Sequence, residues 1–257
     1  MSPEKGSAAG NDLPEWSTAI TAARQQQYGD ASGADSGLFG GAANPTILCT
    51  DCLLTLRKAR IRLDQTIQVS QRLAQHRPVA IDEPLLVRGQ GRTEASPKGA
   101  DRTTAAFQFL DRDGEIVVKA ETVTLAANPD ALRTRELAAS DPSGLRLRSR
   151  KLLTPTHVQS YSAETATRIH FDPAYAVRYG LRAPVAPGLF AVAWSMDMLP
   201  EIEAVESFSL LANFGAPLFW DDGVDILGGD AADGRMDLRF VSSAGAVVAT
   251  VALSRGV

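Results

Sequence analysis

The sequence predicts an α+β protein made of two copies of one unit, each a long apolar helix followed by antiparallel strands. Three observations carry this. Asn44-Pro45-Thr46 introduces an apolar run over 47–56, and Ala186-Pro187-Gly188 introduces another over 189–199. Both runs are too short to cross a membrane and long enough for a buried helix. Each is followed by a strand pattern (66–73 and 207–214), a turn leading into a second strand, and a hairpin that turns at Asp113-Gly114 or at Ala244-Gly245. Finally, Pro78 matches Pro217 and Gly114 matches Gly245 at a nearly constant offset, the mark of an internal repeat. One apolar helix wrapped by a twisted antiparallel sheet is a hotdog. Two in one chain make a double hotdog whose sheets pair side by side, although another α+β pairing would use the same elements.

Taken in order, residues 1–43 are rich in Gly, Ala, Ser and Asp and read as a flexible leader, with a short helix over 14–27 and a loop from Asp30 onward. Residues 44–127 form the first hotdog, which has no catalytic motif. Residues 128–153 read as a surface linker: Asp141-Pro142-Ser143-Gly144 makes a turn, and Arg146, Arg148 and Arg150 alternate along a short extended stretch. That basic cluster is either a solvated face or a contact for a carrier phosphate. Residues 154–257 form the second hotdog. Thr154 N-caps a helix with Pro155 at its first position, ending near Ala163. Asp172 caps a second with Pro173 first, and Gly180 stops it. Residues 164–171 therefore lie between two helices, where side chains converge.

Composition excludes several classes. The chain has 257 residues, 44% hydrophobic and 22% charged, with a net charge of −4. The mild acidity argues against a nucleic-acid partner. Without an apolar segment of membrane-spanning length, no membrane partner is expected. The start has no apolar signal core, and two cysteines cannot form a disulfide scaffold, so a cytoplasmic location is expected. Cys49-Thr-Asp-Cys52 has redox spacing but falls inside the first apolar helix, where thiols pack as small apolar groups. No metal cluster, phosphate loop or Ser/His/Asp motif is found.

Any mechanism that needs a histidine must choose among His76, His157 and His170. His76 sits beside Arg77-Pro78 in a strand connection, and His157 lies in the first turn of a helix. Only His170 lies in the converging connection. An ordinary histidine pKa suits proton transfer near neutral pH. Gly188 opens the second apolar helix, and a helix N-terminus stabilises developing negative charge.

The residues of this region resemble a family. Tyr161-Ser-Ala, Arg168-Ile-His-Phe-Asp172, Tyr175-Ala176 and Ala183-Pro-Val-Ala-Pro-Gly188 are similar to the MaoC-like hydratase/dehydratase signature. The closest flavour is the double-hotdog subgroup of fungal-type 3-hydroxyacyl-thioester dehydratases and mesaconyl-CoA hydratases. The resemblance is sharp over 153–199, diffuse elsewhere and absent over the first 40 residues. It implies reversible hydration of a 2-enoyl thioester on coenzyme A or acyl carrier protein, with no cofactor beyond that carrier. His170 would be the acid/base and the Gly188 N–H the oxyanion donor. The family's acidic or amide partner of the histidine stands five positions earlier, where this chain has Thr165. Thr167 stands where Asn or His is usual. Glu164 substitutes if the connection bulges, and is otherwise a solvated helix-end residue.

Tyr161 and Trp194 either line an acyl tunnel or belong to the core. Arg168 either meets an acidic substrate group or forms a structural ion pair, and Asp172 caps its helix and holds the loop. Hotdog sheet edges tend to pair, so a homodimer is expected. The alternatives are an atypical hotdog lacking hydratase activity: an oxa-Michael cyclase, a thioester-binding partner subunit, or a thioesterase.

Overall fold

The computed structural model describes residues 10–34, 37–95, 100–126, 144–229 and 233–257. In chain order the elements are β1 (Asn11–Asp12), β2 (Trp16–Thr18), α1 (Ala22–Ser32), β3 (Ala42–Ala43), α2 (Leu48–Lys58) entered through a 3-10 turn at Pro45–Ile47, β4 (Thr66–Gln75), β5 (Val79–Ala80), β6 (Leu85–Glu94), β7 (Arg102–Leu110) and β8 (Ile116–Ala126). There follow β9 (Arg146–Leu152), α3 (Pro155–Tyr161), α4 (Pro173–Arg178), α5 (Leu189–Ser195), which continues as a 3-10 helix over Met196–Ile202, and then β10 (Phe208–Phe214), β11 (Gly223–Gly228), β12 (Arg235–Ser242) and β13 (Val247–Arg255).

The strands form one antiparallel sheet in the order β1-β6-β7-β8-β4-β10-β13-β12-β11-β9, with β2 also on β6. The halves meet at β4 and β10, where Leu73 stands opposite Leu210. Alternate residues of β10 are buried, the period-2 pattern of a sheet with one face on a core. α2 lies on β8 and α5 on β13. Every residue of α5 is buried, including Phe190 and Trp194; each such large apolar side chain contributes roughly 1.5–3 kcal/mol. The hairpins turn where expected, with Gly114 at φ 82° and Gly245 at φ 82°, a left-handed backbone that favours glycine.

The leader expectation is corrected for its described part. Trp16 pairs with Val87 instead of joining a helix over 14–27, and the helix starts later, at α1, where Thr21 Oγ1 accepts from Arg24 N. Ile20, Tyr28 and Ala31 are buried in the common core. The reason is apolar burial: α1 packs on α3, and Ser32 O accepts from Trp194 Nε1 at 2.7 Å. Leader residues 1–9, 35 and 36, residue 127 at the end of the first hotdog and linker residues 128–143, with most of the turn read at Asp141-Pro142-Ser143-Gly144, lie outside the described residues. The linker's described end is β9, paired with β11 in the sheet. There Arg150 meets Asp225 at 2.6 Å and Arg148 meets Glu201 at 2.8 Å, so these two arginines serve ion pairs of the fold. No helix among the described residues is long and apolar enough to cross a membrane.

Candidate active site

Both helix starts that frame the key connection form as the sequence predicts, because their caps are local. Thr154 Oγ1 accepts from His157 N at 3.2 Å, and Asp172 Oδ1 accepts from Tyr175 N at 3.1 Å. The connection folds back onto the Pro-Gly segment. Val185 N donates to Ile169 O at 3.2 Å, Ala186 N donates to Leu218 O at 2.7 Å, and Arg57 at the end of α2 donates to Thr165 O at 2.8 Å. Ala166 takes a left-handed φ of 47°, which lets the chain reverse between Thr165 and His170.

A cavity of about 160 Å³ lies at the junction of the two units, and His170, Thr165, Thr167, Gly188, Tyr161 and Trp194 all line it. The ring of His170 has its Nδ1 2.7 Å from Val185 O. A carbonyl oxygen can only accept, so Nδ1 carries the proton and Nε2 is left as the basic nitrogen. Burial pushes the His170 pKa down to about 4, against smaller opposing effects of Val185 O and the Asp64 carboxylate. The ring is therefore neutral at physiological pH, not balanced between its two forms as an ordinary histidine would be.

Gly188 sits where helix α5 begins, at φ −58°. A Cβ there would lie 2.6 Å from Phe214 Cδ1, so the position has room for glycine alone. Among the described residues no backbone or side-chain acceptor pairs with Gly188 N–H. Tyr161 stacks on Phe190 at 4.3 Å and donates to Leu189 O at 3.1 Å, so it is both cavity wall and core. Trp194 likewise lines the cavity while anchored on Ser32 O.

Thr165 is buried and donates its hydroxyl to Ser162 O at 3.1 Å, leaving its oxygen lone pairs for the cavity. Ser162, which the sequence did not single out, is buried on the same lining, and its Oγ has no hydrogen-bond partner among the described residues.

Three expected residues fall elsewhere. Glu164 is corrected: its carboxylate is held by Arg24 Nε and Nη2, each at 2.7 Å, and does not line the cavity. The same guanidinium reaches the fully buried Asp51 at 2.7 Å. Burial opposes the Arg24 charge, but its bonds to Asp51 and Glu164 outweigh this and hold it charged. Arg168 and Asp172 pair with each other at 2.7 Å on the surface, with Arg168 over the Tyr175 ring at 4.7 Å. Neither lines the cavity. Of the other histidines, His157 lies on α3 and His76 beside β5, both outside the lining. Cys49 and Cys52 are buried in α2, and burial raises both thiol pKa values.

The residues that sequence reasoning missed come mainly from the first unit. Asp64, just after α2, lines the cavity and accepts from Arg168 N at 2.7 Å across 104 residues of sequence. Thr50, Thr66, Gln68 and Thr124 are the other polar residues on that side. No short-range pattern marks them.

No family model matches the chain, and no curated protein matches it. Solved structures do. HtdX of Mycobacterium tuberculosis is 15% identical with a TM-score of 0.74, over 95% of this chain and 100% of that one. A MaoC-like dehydratase from Phytophthora capsici is 14% identical with a TM-score of 0.74, over 96% of each. A conserved hypothetical protein of Mycobacterium tuberculosis with a double hotdog fold is 14% identical, with a TM-score of 0.64 over 96% of each. At such identities the likeness speaks to the fold: the chain is a double hotdog of the architecture that MaoC-like dehydratases share.

Proposed function

We propose that the chain is a MaoC-like hydratase/dehydratase acting on 2-enoyl and 3-hydroxyacyl thioesters carried by coenzyme A or acyl carrier protein. One observation carries this reading: a neutral histidine, with Nδ1 given to Val185 O and Nε2 left basic, lines a largely apolar cavity together with the uncapped start of α5. In the hydration direction Nε2 takes a proton from water while the water oxygen bonds to C3. The C2=C3 electron pair shifts through C2 onto the thioester oxygen. Gly188 N–H receives that charge, reinforced by the positive end of the helix. The imidazolium then gives its proton to C2.

One histidine serves as base and then acid, since Thr165 replaces the family's acidic residue and Glu164 is held by Arg24. Thr165 and Ser162 hold the water by their hydroxyls. The low His170 pKa makes the imidazole a weaker base and the imidazolium a stronger acid, which favours the return of the proton to C2.

A second reading has its own observation. Asp64 is the sole carboxylate on the lining among the described residues, and its Oδ1 already accepts from Arg168 N, which leaves His170 to act as a single base. A single base suffices when a hydroxyl of the substrate itself adds to the enoyl thioester and closes a ring.

The test follows crotonyl thioesters by loss of enoyl absorbance and by release of thiol. Wild type should hydrate without releasing thiol, and His170→Ala should lose about 10²–10⁴-fold in rate while keeping its circular dichroism spectrum. An inert wild type, thiol release, or full activity in His170→Ala overturns the proposal. Hydration gained only by Thr165→Asp would leave the cyclisation reading in its place.

A further inference from the structure

The cavity has a polar wall that the chemistry at His170 does not use. On β4 and β8, Gln68 stands directly opposite Thr124, and Gln71 opposite Thr122. The register shifts between Gln68 and Ser70, and this bulge puts Gln68 and Gln71 on one face although they are three positions apart. Gln71 and Thr122 are fully buried. Thr122 Oγ1 donates to Gln71 Oε1 at 2.7 Å, Gln68 Nε2 donates to the same oxygen at 2.9 Å, and Gln71 Nε2 donates to Arg72 O at 2.7 Å.

This chain of bonds fixes the Gln68 amide, leaving its carbonyl oxygen and one N–H available at the cavity. Beside it, Thr124 is 1% exposed and also lines the cavity, yet its Oγ1 has no hydrogen-bond partner among the described residues. In the second unit the pair that matches Gln71 and Thr122 in the repeat is apolar, Leu210 opposite Leu253, and so is the strand pair that lines this cavity, Phe214 opposite Ala249. A buried hydroxyl without a protein partner is costly and uncommon, and on the wall of a cavity it is open to a hydrogen bond from the occupant.

Resting on the reading of this cavity as an acyl-thioester site, we propose that Thr124 and Gln68 form a specificity subsite for an oxygen substituent, hydroxyl or keto, on the acyl chain beyond C3. A hydroxyl would donate to Gln68 Oε1 and exchange a hydrogen bond with Thr124. A keto oxygen would accept from the Thr124 O–H and the free Gln68 N–H. A plain hydrocarbon chain would strip both groups of water and return nothing, so the wall discriminates against it. The substrate class is an oxygenated acyl thioester.

Saturated ligands separate binding from turnover. Octanoyl-CoA and its 5-hydroxy, 5-oxo, 7-hydroxy and 7-oxo forms are titrated into the full chain by calorimetry. In wild type at least one oxygenated form should bind about tenfold more tightly than octanoyl-CoA, the value of one good hydrogen bond. In Thr124→Val that ratio should fall towards one, and in Gln68→Leu it should fall as well. Reading a ratio within each variant cancels any general weakening, and the near-isosteric Thr124→Val should fold with a Tm no lower than wild type. Equal or weaker binding of every oxygenated form, with octanoyl-CoA still bound, overturns the subsite and leaves the acyl-thioester reading standing. A ratio unchanged in Thr124→Val also overturns it. If neither these acyl-CoAs nor the same acyl groups on acyl carrier protein bind, both fall.

Discussion

The two units start their central helices in opposite ways. In the first, the amide that follows the proline belongs to Thr46, and Asn44 Oδ1 accepts from it at 3.0 Å. In the second, the amide after Pro187 belongs to Gly188, and Ala186 stands in place of the asparagine with no side-chain acceptor. The 3-10 turn that leads into α2 is closed by its own sequence, and the start of α5 is left open on the cavity. The helices themselves differ in the same sense. α2 buries Thr50, Asp51 and Thr55 beside its apolar residues, while α5 is apolar except for Ser195. A duplicated unit has thus divided its tasks: the first half supplies polar support and one cavity wall, the second the histidine and the open helix end.

The largest expected effect breaks the support. Arg24→Ala leaves Asp51 fully buried without its cation and releases Glu164. It should cost about 3–5 kcal/mol in chemical denaturation, whereas Arg24→Met combined with Asp51→Leu should recover most of that loss. The second experiment makes the two helix starts alike. Ala186→Asn supplies the missing cap, and by occupying Gly188 N–H it should lower the hydration rate by about 10²–10³-fold, the usual value of one oxyanion donor. An unchanged rate would show that this amide does not meet the developing charge.

The smallest effect is a titration. The His170 pKa is about 4 in the folded chain against 6.5 as the reference value. The unfolded chain therefore binds more protons between those values, and stability must fall as pH drops from 6.5 through 4. The loss attributable to His170 should approach about 3 kcal/mol, and it should be absent in His170→Gln when unfolding is measured across that range.

How much of this was legible depended on range. The caps at Thr154 and Asp172, the turns at Gly114 and Gly245, and the burial of 189–199 are set within a few residues, and they were readable. His170 and Gly188 were found because a local motif surrounds them. Glu164 could not be placed from its neighbours, because its partner Arg24 lies in the segment taken for a loose leader. Trp16 looked helical for the same reason: its strand exists through pairing with Val87. Asp64, Gln68 and Thr124 carry no pattern of their own, since what gives them meaning is an opposing strand or a loop from the other unit.

Hydrophobic period, capping and turn chemistry act over short stretches of chain, and they set the repeat, the two buried helices, the hairpins and the connection that holds His170. Which polar residues face the cavity, that His170 is held neutral, and that Glu164 serves an ion pair follow from the folded arrangement. Those outcomes depend on desolvation and on charges brought together from distant segments, and neither exists until the two units close on each other.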